Sequence, residues 1–119
     1  MQNKFVQLVQ LAHARGGDKG DKADLSLFAY DAPTYALLKR EVSAARVAAH
    51  FAGLCHGRVE RFELDGLWAL KFVLERALDG GAARSLRSDN LGKSLAAGLL
   101  RMQIEVAHDT PIHHQQVQR

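Results

Sequence analysis

Leu67-Trp68-Ala69-Leu70-Lys71-Phe72-Val73-Leu74-Glu75-Arg76-Ala77-Leu78 is the stretch on which the fold turns. Leu67, Leu70, Leu74 and Leu78 recur at the spacing of one helix face. Gly80-Gly81 would end such a helix well. The same text is apolar enough to be a strand. The spacing favours a helix over Leu67–Leu78, with the strand as the alternative.

Upstream of it, Asp65-Gly66 reads as a turn, and Arg58–Leu64 as a polar strand near a sheet edge. His56-Gly57 ends a helical region. In that region Tyr35, Leu38 and Val42 recur at helical spacing behind Asp31-Ala32-Pro33, where Pro33 suits a first turn. Ser43 is placed to cap a second piece carrying Val47, Phe51 and Leu54. The two pieces are either separate or one bent helix. Before them, Leu25–Tyr30 reads as a short strand and Phe5–Ala14 as a longer one. Phe5–Ala14 is apolar on both parities, which predicts a central position. Arg15–Asp24 reads as the loop between these strands.

Downstream, Ala82–Ser88 is a polar loop, and Asp89 is an N-cap candidate. Leu91, Leu95, Leu99 and Met102 form the apolar face of the helix it would open. Gln103–Ala107 alternates as a last strand, with Ile104 and Val106 inward. Strand, strand, helix, strand, helix, helix, strand is the resulting order. It predicts an α+β fold in two layers, helices packed on one face of a mostly antiparallel sheet. A ferredoxin-like variant fits if the first two strands form an elaborated first unit. The expected division is one domain over residues 1–107 and a polar tail over 108–119.

The totals agree with a single globular domain: 119 residues, 47% hydrophobic and 24% charged. Sixteen basic and thirteen acidic residues leave a net charge of +3. That mild excess permits an anionic ligand without demanding one. The bases form no stripe and aromatics make up 7% of the chain, so no nucleic acid partner is expected. The lone Cys55 allows no intrachain disulfide, which fits a cytoplasmic protein. No apolar run approaches the roughly 18 residues of a membrane span. Neither a signal-peptide core nor an internal repeat is visible.

Two polar stretches carry the candidate chemistry. Arg15-Gly16-Gly17-Asp18-Lys19-Gly20-Asp21 places glycines among alternating charges. Glycines tolerate positive φ, and their N–H groups can converge on an anion. Asp18 beside Lys19 is either a shape-holding charge pair or an acid/base pair; a solvated turn is the bland alternative. His13, at the end of the first strand, is placed to act as acid or base at this stretch, or else to sit buried and hydrogen-bonded. The candidates for catalysis are therefore Asp18, Lys19, Asp21 and His13. The second stretch runs from Arg84 to Lys93. Arg87 suits a bidentate grip on a carboxylate or phosphate, close to a helix N-terminus that favours anions. Arg15, Gly17, Gly20, Ser85, Arg87, Asp89 and Lys93 are the candidate anion-binding residues.

Gly92-Lys93-Ser94 is not a nucleotide-binding P-loop, because Arg87 stands where that motif needs glycine. The histidines show no metalloprotease spacing, and neither a metal nor a cofactor is expected. Cys55, on an apolar helix face, reads as buried rather than nucleophilic. Trp68 and Phe72 read as core or interface.

At these residues the sequence resembles a known family. Ala14-Arg15-Gly16-Gly17-Asp18-Lys19-Gly20-Asp21 is similar to the Ala-Arg-Ser-Gly-Asp-Lys-Gly-Asp signature of the C-terminal domain of AtuA-like (acyclic terpene utilisation) proteins. Ala69–Leu74 resembles that family's Ala-Leu-Asn-Phe-Val-Leu. Gly80-Gly81, Ser85-Leu86-Arg87, Asp89 and Gly92-Lys93 resemble its third block. The resemblance covers nearly the whole chain. It departs at Gly16, where the family has serine, and at Asp24 and Lys71, where it has asparagines.

The resemblance implies a ferredoxin-like fold and a context in the catabolism of branched or terpenoid acids as CoA thioesters. It also implies a larger AtuA-like N-terminal-domain protein as partner, since this domain follows such a domain in longer members. Three functions follow as expectations. One is a small subunit that partners that larger chain, with a small anionic or CoA-thioester ligand. Another is a free-standing anion-binding enzyme using the Asp18/Lys19 and Arg87/Asp89 stretches. The last is a non-catalytic homo-oligomeric ligand-binding module. Whether the chain is an enzyme stays open.

Overall fold

The computed structural model describes residues 2–19, 22–55, 57–76 and 91–112. Six strands and three helices make up the described chain. They are β1 (Asn3–Gln7), β2 (Ala12–Lys19), β3 (Lys22–Ala29), α1 (Ala32–Glu41), α2 (Ala44–His50), β4 (Val59–Leu64), β5 (Ala69–Leu74), α3 (Leu91–Leu100) and β6 (Gln103–Ala107).

Four strands form an antiparallel sheet in the order β2-β3-β5-β4, and β1 pairs antiparallel with β6 in a separate two-stranded sheet. Ala23, Leu25, Leu27 and Ala29 of β3, with Leu70, Phe72 and Leu74 of β5, are buried under the helices. α1 contributes Leu38 and Tyr35, α2 contributes Val47, and α3 contributes Leu95 and Leu99 to the same core. From β3 onward the pattern is strand, helices, strand, strand, helix, strand, the βαββαβ pattern of a ferredoxin-like sandwich. Its final strand, β6, joins β1 rather than the larger sheet, and β2 holds the edge beside β3.

The expected helix over Leu67–Leu78 is a strand at its centre. Ala69–Leu74 pairs on one side with β3, Leu25 opposite Phe72, and on the other with β4, Arg61 opposite Phe72. Leucines at 70 and 74 suit either element, because positions four apart share a face in both. Two flanking ladders satisfy the backbone on both edges and decide for the strand. Trp68, just before it, is itself left-handed, φ 52°. Phe72 is core, whereas Trp68 is 43% exposed.

The N-terminal half also departs from expectation. Phe5–Ala14 is not one central strand, since a 3-10 turn at Leu8–Gln10 breaks it. That turn sends Leu8 and Leu11 into the core and lets the Leu8 amide donate to the Met102 carbonyl. The apolar character on both parities came from this break. Arg15–Asp24 is not a long loop either. Ala12–Lys19 pairs residue by residue with Lys22–Ala29, so most of the expected loop is strand. Glycines and charges have low strand propensity, but pairing against the buried β3 overrides it.

The helix starts follow their caps. Asp31 accepts from the Thr34 amide at 2.9 Å, with Pro33 in the first turn. Ser43 accepts from the Arg46 amide at 3.1 Å. α1 and α2 are two helices, separated at Val42-Ser43. β4 lies at the outer edge, as its polar text predicts. The start of the polar tail is tied to β1: the His108 amide donates to the Gln2 carbonyl, and the Lys4 ammonium to that of Thr110. Among the described residues no helix is long and apolar enough to cross a membrane.

Candidate functional site

Among the described elements, the helices cover one face of the sheet and leave the other open. Alternation places His13, Arg15 and Gly17 of β2 on the open face, with Asp24, Ser26 and Phe28 of β3 and Lys71 and Val73 of β5. Across the strands, Arg15 stands opposite Ser26, which stands opposite Lys71; Gly17 stands opposite Asp24, which stands opposite Val73. Arg15, Gly16, Gly17, Lys22, Ala23, Asp24, Ser26 and Val73 line a shallow cleft of about 540 Å³ over these rows.

A second cleft, of about 530 Å³, lies on the helix side of β2. Ala14, Arg15 and Gly16 form one wall; Lys93, Ala96, Ala97 and Leu100 form the other. Those four α3 positions share one helix stripe. Arg15 and Gly16 border both clefts, so the edge strand is the partition between them.

The glycines act differently from expectation. Gly16 and Gly17 are paired strand residues, and among the described glycines positive φ belongs to Gly53. They do not form a turn of converging amides. A Cβ built on Gly17 meets nothing within 4 Å. What glycine supplies there is open space, which in a strand marks close approach by a ligand or another backbone.

The side chains of Arg15, Lys22 and Lys93 take part in no ion pair or hydrogen bond among the described residues. Lys71 differs: its Nζ lies 3.0 Å from Asp24 Oδ2. Three uncompensated cations around two clefts can hold a carboxylate or phosphate, Arg15 in bidentate fashion.

His13 is exposed rather than buried. Its ring stacks on Phe28, centroids 5.0 Å apart, and lies 5.6 Å from Tyr30 at a tilt. It shares the open face with Arg15 two positions away. Asp18 and Lys19 occupy strand positions opposite Ala23 and Lys22. Gly20, Asp21, Ser85, Arg87 and Asp89 lie outside the described residues. Arg15 from the first polar stretch and Lys93 from the second do line one cleft.

Lys22, Ser26 and Lys71 were missed as site residues. The alternation Ala23, Leu25, Leu27, Ala29 was the available signal, because it sends the even-numbered residues of β3 to the open face. Cys55 is half-buried against the core, its thiol donating to the Glu75 carbonyl at 3.3 Å. Among the described residues no group of three or more potential ligands is gathered for a metal.

An antiparallel four-stranded sheet with the described helices on one face, β2 at its edge and β6 drawn off to pair with β1, defines a ferredoxin-like domain. The chain belongs to the AtuA ferredoxin-like domain family, whose model matches residues 6–105. No curated protein matches, and no solved structure does.

Proposed function

We propose that this chain is the small, anion-recognising partner of a larger AtuA-type chain in the catabolism of branched or terpenoid acids or their CoA thioesters. The observation that carries this reading is Arg15, a cation without a partner among the described residues, standing on the wall between two clefts. Lys22 adds a positive charge to one cleft and Lys93 to the other. Such an edge suits an acidic surface or ligand supplied from outside the domain. Affinity capture of the tagged chain from its native source should recover a larger AtuA-type protein, and Arg15→Glu should lose it. Recovery of the chain alone would defeat the reading.

A free-standing enzyme is the second reading, favoured by His13. Its ring lies on the face that carries Arg15, two strand residues or roughly 7 Å along the backbone. A base there would serve a substrate whose anionic group Arg15 holds. Turnover of an acyl-CoA by the isolated chain, lost in His13→Gln with the melting curve unchanged, is its test.

A further inference from the structure

Among the described residues, the outer edge of β2 carries no paired strand. β3 covers one side of β2, and no other described strand pairs with it. No described backbone group outside that ladder bonds to residues 12–19. In an antiparallel ladder, alternate residues of an edge strand turn their N–H and C=O groups outward. Those groups are a template for another strand, and natural proteins ordinarily blunt such an edge. Here the edge is instead stripped of side chains at Gly16 and Gly17, and each glycine borders a cleft.

We infer that β2 receives an extended segment of a partner chain as an added strand, and that this segment alternates acidic and apolar residues. Side chains of an added strand point alternately to the two faces of the sheet. One set therefore falls on the open face, beside Arg15 and Lys22. The other falls on the helix side, against Ala96, Ala97 and Leu100 of α3. Charge chooses acids for the first set, because both cations there lack a counter-charge among the described residues. The alanine-lined stripe chooses apolar groups for the second, and Lys93 stands at one end of that stripe to meet a further acid.

Two other occupants fit less well. A compact anion reaches one cleft or the other, because the strand itself separates them; only an extended chain along the edge reaches both. A second copy pairing through β2 brings like charges together. In a two-fold pairing centred on Gly16, each Arg15 stands diagonal to its copy, about 7–8 Å away. Centred on Arg15, the two guanidinium groups are directly opposed, which destabilises a sheet pair.

The inference rests on the partner reading above but can fail separately from it. Hydrogen exchange of the full chain is followed with and without the synthetic octapeptide Glu-Val-Glu-Val-Glu-Val-Glu-Val. Binding should slow exchange at alternate amides of Ala14–Asp18 and weaken as salt rises. Arg15→Glu should cut affinity roughly tenfold and admit the matching Lys-Val octapeptide. Lys22→Glu, on an exposed residue, gives the same readout if the first variant fails to fold. Equal binding by an acidic peptide with alternate prolines would overturn the inference, since proline removes the strand's donors. So would equal protection by inorganic pyrophosphate, which means a small-anion site, or dimerisation of the chain through β2. Peptide protection without a larger AtuA-type protein in the capture experiment would leave the strand site standing and remove the proposed partner.

Discussion

Lys71 and Asp24 meet across neighbouring strands, Nζ to Oδ2 at 3.0 Å. The sequence resemblance departs at both positions, and the structure brings the two together as one ion pair. The pair stands beside Arg15 and Ser26, where Lys71 offers the Asp24 carboxylate a counter-charge at the cleft that Arg15 and Lys22 line.

Both partners are half-exposed, so the pair adds only about 0.2–1 kcal/mol to stability. Lys71→Asn alone frees a carboxylate at the cleft and should weaken binding of the acidic octapeptide. Asp24→Asn combined with Lys71→Asn should restore it. Titration of the three variants checks this; a double variant as weak as Lys71→Asn alone would refute the coupling.

Gly17→Val separates space from strain. The added Cβ meets nothing within 4 Å, and the residue is in a strand with no positive φ. Valine favours strands and restricts the unfolded chain, so stability should hold or rise by about 0.5–1 kcal/mol. The cleft should fill and peptide binding should fall. Urea midpoints and titration check both halves, and a loss of stability above about 1 kcal/mol would contradict the open-space role.

Tyr35 and Asp65 fasten α1 to the turn before β5. The Tyr35 hydroxyl donates to Asp65 Oδ1 at 2.7 Å, and Lys39 Nζ lies 3.5 Å from the same oxygen. Burial first, then this bond, push Tyr35 up to about 12. The Tyr35 hydrogen bond, then Lys39, hold Asp65 below its ordinary value. The signs follow. Tyr35 contributes stability that is complete below about pH 10 and lost as pH climbs through about 12. Asp65 contributes stability present above about pH 4 and lost as pH falls below it. Tyr35→Phe should cost about 0.5–1.5 kcal/mol at neutral pH and flatten both limbs. Tyr30, raised by burial, keeps part of the alkaline one. Urea midpoints across pH test this, and unchanged limbs in Tyr35→Phe would exclude the assignment.

Gly57 is a packing glycine. Its amide donates to the Glu75 carbonyl at 3.0 Å, and a Cβ there would stand 2.5 Å from that same oxygen. Gly57→Ala must move backbone at the end of β5 and should cost about 1–3 kcal/mol. Gly66→Ala, with nothing within 4 Å, is the control and should be close to neutral. Equal melting temperatures for the two variants would disprove the contact.

What was legible in the sequence was local chemistry. Asp31 and Ser43 announced their helices because a cap is written in one side chain and its neighbours. Val59–Leu64 was readable as an edge because its text is polar. The AtuA-like text pointed to the ferredoxin-like sandwich. What failed depended on partners distant along the chain. Leu70 and Leu74 are compatible with helix and strand alike, and only β3 and β4 on either side decide. Gly16 and Gly17 read as a loop because nothing local shows that Leu25 and Asp24 stand opposite them. The site suffered for the same reason, since the placement of Arg15 on two clefts follows from the hairpin.

The pairing of β1 with β6 has a consequence for how the molecule comes into being. Asn3 finds Ala107 and Gln7 finds Gln103, so two strands far apart in sequence complete each other. Synthesis runs from the N-terminus, so Val6 stays without its neighbour Ile104 until β6 has been made. The closing step is a long-range one and carries a loop-closure cost before any contact repays it. Nascent chains are therefore open at this seam until β6 emerges, and removing either β1 or β6 should unfasten the same corner of the molecule.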